Sequence, residues 1–175
     1  MNKDLADVLG NFVSRVTKFC RSKFGEIIPT GGVWSQAEQN LVTEIEKRVT
    51  DYEYFMENKE VRKSANELRA IWACGNEYLQ LAEPWSTFKS DPDRAAMQIR
   101  LSFNLIKMYG ILSAPFIPDA SDKILKALNL SNLLWPDNIR EALDSLPENG
   151  CFEVPDVMFR KITDEERETW KEQFS

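Results

Sequence analysis

A chain of 175 residues, 43% hydrophobic and 29% charged, can bury one core but not two ordinary domains, and its composition excludes wholesale disorder. Its longest apolar run, Tyr109 to Ile117, falls short of the ~20 residues of a membrane span and contains Pro115. A net charge of −6 is the wrong sign for gripping nucleic acid by bulk attraction.

The charge is unevenly placed. Residues 1–24 carry five Lys/Arg against two Asp, whereas residues 144–175 carry nine Asp/Glu against four Lys/Arg. A basic strip at the start suits local contact with a nucleic-acid loop better than tracking along a duplex. The start, Met-Asn-Lys-Asp-Leu-Ala-Asp, does not read as a signal peptide. Three cysteines without a Cys-x-x-Cys pair imply a reducing compartment, with Cys20 and Cys74 buried, so the expected location is cytoplasmic.

The first helix is expected over about 3–24, on a stripe of Leu5, Val8, Leu9, Phe12, Val16, Phe19 and Cys20. Pro29 and Gly31-Gly32 predict a loop with no regular element, and Ser35-x-x-Glu38 is a capping box opening a second helix. A third runs from near Glu60 to Glu83. Gly75 inside it implies a close helix crossing or an open ligand surface. Asp91-Pro92 starts a fourth, with Ala96, Ile99, Phe103, Ile106 and Leu112 facing inward, and Pro118 opens a shorter fifth. A short helix around Asn138–Leu143 and a last one opened by Thr163-x-x-Glu166 follow, the latter carrying Trp170 and Phe174. Trp34, Trp72 and Trp135 are assigned to the core. The expected fold is all-α: an antiparallel bundle of about four long amphipathic helices over about 3–130, with a C-terminal extension over about 131–175.

The absence of histidine removes Ser-His-Asp and Cys-His nucleophiles, His-ligated metals and zinc deaminase chemistry. No glycine pattern cradles a phosphate, so the chain is not expected to be an enzyme by itself and no metal or cofactor is assigned to it. Carboxylates such as Glu44 and Glu46 read as solvated surface.

Two stretches remain. Asn11 and Arg15 are four apart on the polar side of the first helix, a planar amide beside a planar guanidinium, a pair suited to base edges. Lys18 continues that stripe. Glu83-Pro84-Trp85 ends the third helix and holds an aromatic ring just beyond it, a platform for an unpaired base. If these act together, the indole of Trp85 lies within ~15 Å of Arg15, the span of one base with its contacts.

These stretches, with Asp4-Leu5-Ala6-Asp7-Val8-Leu9-Gly10, Asn76-Glu77-Tyr78-Leu79 and Val157-Met158-Phe159-Arg160-Lys161-Ile162, resemble the C-terminal anticodon-binding domain of methionyl-tRNA synthetase, a class I aminoacyl-tRNA synthetase, from the first helix to about residue 165. The resemblance implies that Asn11, Arg15 and Trp85 read the first anticodon base, with Pro84 beside them and Asn76 helping to hold the loop; Lys18, by its place on the basic stripe, is expected on a phosphate. Where the family often has an acidic residue this chain has Gln80. The resemblance further implies methionine tRNA and a catalytic domain of the same polypeptide as partners, with ATP and methionine bound by that domain, and neither DNA nor membrane as a target. Two other readings stand beside it: the equivalent domain of another class I synthetase, and a helical protein-docking module. The docking module requires an apolar groove away from Asn11 and Trp85.

Overall fold

The computed structural model describes residues 2–131, 134–155, 159 and 162–174, with the side chains of 2–4 and 174 outside it. Among these the regular elements are all helices; one isolated antiparallel bridge, Ile27 to Cys151, ties the predicted loop to the C-terminal extension. A π-helical lead, Asn2–Gly10, runs into α1 (Asn11–Lys23), so the expected first helix is present but is wound differently over its first half. Long α2 (Gln36–Glu57), α3 (Val61–Ala82) and α5 (Pro92–Ser113) form the bundle with it. A single turn, α4 (Pro84–Thr87), lies between α3 and α5. Shorter α6 (Pro118–Ala127), α7 (Ile139–Ala142) and α8 (Asp164–Phe174) follow.

Local signals account for most boundaries. Ser35 and Glu38 form the reciprocal capping box at α2, Asp91 accepts from the Arg94 amide at α5, and Thr163 and Glu166 close the box at α8. Pro92 and Pro118 occupy first helical positions.

Contacts between helix ends fix the directions. Glu38, at the start of α2, meets Tyr78 near the end of α3 and Arg94 at the start of α5. Tyr52, near the end of α2, donates to the Leu112 carbonyl at the end of α5 (3.0 Å). Successive long helices are therefore antiparallel. The sequence periodicity understates one of them: α5 is buried almost all round, from Ala95 to Ser113, because it is covered on several sides by its neighbours. It is a central helix, not an amphipathic one.

Gly75 marks a close crossing. A β-carbon there would lie 2.2 Å from the Tyr109 hydroxyl and 2.8 Å from the Phe12 ring. Of the assigned core tryptophans, Trp72 is buried and Trp34 half-buried. Trp135 is 42% exposed: it stacks on Tyr52 (5.9 Å, 15°) and donates to Glu53, closing the bundle from outside. Cys20 and Cys74 are buried thiols, with burial pushing Cys20 up to about 12 and raising Cys74. Trp170 is 44% exposed on α8, whereas the side chain of Phe174 and most of the Val157–Ile162 motif lie outside the described residues.

Candidate nucleic-acid interface

The site begins where α3 stops. Its C-cap, Glu83, is left-handed (φ 41°, ψ 58°), which turns the chain sharply, and Pro84 then opens α4 at its first position. Trp85 therefore lies just beyond the end of α3, as the sequence reading has it, and also inside a new helical turn that reading does not foresee. The last carbonyl of α3, Ala82 O, would be orphaned by the turn. Thr87 Oγ1 (3.1 Å) and Gln98 Nε2 (3.3 Å) both donate to it. Pro84 is buried and Trp85 half-buried, its ring partly packed against the core.

Arg15 reaches this turn from α1. Its guanidinium carbon lies 4.7 Å from the Trp85 ring centroid, well inside the expected limit, so two residues remote in sequence form one cation–aromatic pair. Asn11 is exposed, at the first residue of α1 and one turn before Arg15 on the same side. Lys18 is exposed, and Gln80 is exposed on α3.

Asn76 sits behind them. Its side-chain nitrogen donates to Val8 O (3.1 Å) and Trp72 O (3.2 Å), tying the π-helical lead to α3. Val8 beside Asn76 and Arg15 beside Trp85 show the first helix and α3 running in the same sense, with the relevant ends aligned. The lead, not α1, makes most of that helix–helix contact, while α1 rests on α5.

Three further rings extend the site. Phe88, the C-cap of α4, meets Phe19 (6.2 Å, 89°) and Phe24 (5.2 Å, 90°), and the Lys23 ammonium lies 5.7 Å from its centroid. The sequence reading has Phe19 as core and leaves Phe24 and Phe88 unassigned. The signal for Phe88 is its spacing of three from Trp85, which puts both rings on one side of a turn.

A second concavity lies between α2 and α3. It encloses about 530 Å³ and is lined by Leu41, Glu44, Cys74, Glu77, Leu81 and Ala82 among others. Its floor is a network that the sequence shows only as a capping box: Glu38, fully buried, accepts from Arg94 (2.8 Å), Tyr78 (2.8 Å) and Ser35 (2.7 Å). Burial alone would raise the Glu38 carboxyl, but these hydrogen bonds outweigh it and hold it below its ordinary value.

The family model "Anticodon binding domain of methionyl tRNA ligase" matches residues 28–175. The methionine–tRNA ligase of Ruegeria sp. (strain TM1040) is 61% identical over 175 residues, which is 100% of this chain and 30% of that protein. That of Paracoccus denitrificans (strain Pd 1222) is 60% identical over 174 residues, 99% of this chain and 30% of that protein. Among solved structures, the apo methionyl-tRNA synthetase of Mycobacterium tuberculosis shares the fold, with a TM-score of 0.79 at 18% identity over 93% of this chain and 33% of that one. The chain thus spans about 30% of the length of the curated relatives it matches. The family model begins after α1, but both relatives align through it, so Asn11 and Arg15 lie inside the shared region. On these matches, the chain belongs to the anticodon-binding domain family of methionyl-tRNA ligases.

Proposed function

We propose that this chain binds the anticodon loop of methionine tRNA as the recognition part of an ATP-dependent methionine–tRNA ligase of the cytoplasm. The catalytic domain of the same polypeptide would bind ATP and methionine. The observation that carries the reading is the Arg15–Trp85 pair, a planar donor fork held against an aromatic ring at the solvent-facing edge of the bundle. In this reading the first anticodon base stacks on Trp85, and Arg15 and Asn11 offer hydrogen bonds to its edge. Pro84 stiffens the turn that carries the ring, and Lys18 meets a phosphate. Asn76 acts from behind, holding the segment that leads into Asn11. Residues 1–175 act as one recognition domain, the bundle carrying the site and the extension bracing it.

A fluorescence-anisotropy titration tests this: methionine tRNA should bind more tightly than the same tRNA with its first anticodon base changed. Equal affinity would remove the assignment. The α2–α3 groove, beside the 87% exposed Leu81, is the observation that favours a second reading as a protein-docking module. Its lining includes Glu44 and Glu77 but neither Asn11, Arg15 nor Trp85, although it shares Ala82 and Gln98 with the turn that carries Trp85.

A further inference from the structure

We propose that Phe88, gripped by Phe19 and Phe24, is the positioning residue that sets the Trp85 ring against Arg15, a role that rests on the reading of Trp85 as the base platform. The turn carrying Trp85 is short. Four residues of α4 make no more than one round of helical hydrogen bonds, a marginal element unless packing holds it. Its entry side is held by buried Pro84 and by the bonds onto Ala82 O. Those contacts fix α4 to α3 and α5. They set its spacing from α1 only at second hand, through the packing of α1 on α5, and that spacing decides whether Trp85 meets Arg15.

Phe88 supplies the missing attachment. It is the C-cap of α4, and Phe24 is the C-cap of α1, so their edge-to-face contact joins the ends of the two elements. Phe19, one turn after Arg15 on α1, completes the set against both rings. The geometry is directional: interplanar angles of 89° and 90° at centroid distances of 6.2 and 5.2 Å place ring edges on ring faces. Arg15–Trp85 and Phe19–Phe88 are then two rungs between the same elements, four residues apart on α1 and three apart across α4. Removing the second rung leaves α4 joined to α1 only through α5 and the Arg15–Trp85 pair, so the turn after the left-handed Glu83 can shift away from α1.

Proton NMR of the domain without RNA reads this directly. The Arg15 side-chain protons carry an upfield ring-current shift from the indole, identified by its loss in Trp85→Leu. In Phe88→Leu, which keeps apolar bulk but no ring, that shift should collapse toward the unstacked value, and Phe88→Tyr should restore it. Where Phe88→Leu does not fold by circular dichroism, Phe19→Leu breaks the same rung from α1 and carries the same expectation. A full Arg15 shift in the folded leucine variant overturns the proposal. In titrations of the same variants, the preference for the cognate first anticodon base should fall about tenfold in the leucine variant and return with tyrosine. A lost shift with unchanged preference would leave the clasp standing and remove the reading of Trp85 as base platform.

Discussion

The Arg15 guanidinium lies 4.7 Å from the centre of the Trp85 ring, although the two residues belong to different helices separated by all of α2 and α3. Three arrangements produce this proximity. The lead is tied to α3 through Asn76, α1 lies on α5, and α4 turns back at Glu83. Each can be disturbed separately.

Gly75→Ala tests the crossing beneath the site. The added β-carbon would sit 2.2 Å from the Tyr109 hydroxyl and 2.8 Å from Phe12, both on fully buried side chains with no room to retreat. Overpacking of this kind costs about 1–3 kcal/mol or more, overriding the gain of roughly 1 kcal/mol from replacing a helical glycine. Urea denaturation should show a clear net loss of stability. An unchanged midpoint would contradict the packing described.

The Glu38 network should make stability pH-dependent. Its folded carboxyl is held below the ordinary value of 4.5, so its stabilisation is full above that value and is lost as pH falls through the folded one. Thermal melts from about pH 6 to about pH 3 should fall more steeply in the parent than in Glu38→Gln. Arg94→Leu, which strands a buried carboxylate still held by Tyr78 and Ser35, should cost about 2–3 kcal/mol at neutral pH. Parallel pH profiles for parent and Glu38→Gln would show that this carboxyl is not the titrating group.

Asn76→Asp keeps the shape and reverses the chemistry, because a carboxylate cannot donate to Val8 O and Trp72 O. Leaving those partners against a charge should cost about 1–3 kcal/mol, with hydrogen exchange rising first in the Asn2–Gly10 lead. Unchanged exchange in the lead would show that the tie is unimportant.

Lys18 is exposed and outside the stacked pair. Lys18→Ala should weaken cognate and anticodon-changed tRNA by a similar small factor and flatten the salt dependence by about 0.7 in log–log slope, as for one lost single-strand phosphate contact. Loss of discrimination in this variant would place Lys18 on a base.

Much of the fold is legible in the sequence because its signals are local. Ser35-x-x-Glu38, Asp91-Pro92 and Thr163-x-x-Glu166 each need only four residues or fewer to act, and each opens the expected helix. What escapes is set by distant partners. Glu38 reads as a cap and is also the buried centre of a network whose other members come from α3 and α5. Through Asn2–Gly10 and into α1 the sequence shows α-type steps of three and four between Leu5, Val8, Leu9 and Phe12, so periodicity does not reveal the π winding. Trp135 looks like core by residue type, but its place is a lid over Tyr52. Arg15 and Trp85 are legible as a pair of chemistries, while Phe88 is not, since its spacing of three from Trp85 counts only once Pro84–Thr87 is known to be a helical turn.

The most direct test of the account is anisotropy titration of Trp85→Ala beside the parent, with methionine tRNA and with its first anticodon base changed. The ring is only half-buried, so the variant should remain folded by circular dichroism. Loss of stacking should cost about 1–3 kcal/mol on the cognate tRNA and markedly less on the changed one, because stacking and edge contacts act on the same base. A folded Trp85→Ala protein that binds cognate tRNA as tightly as the parent would contradict the account and return this tryptophan to a purely packing role.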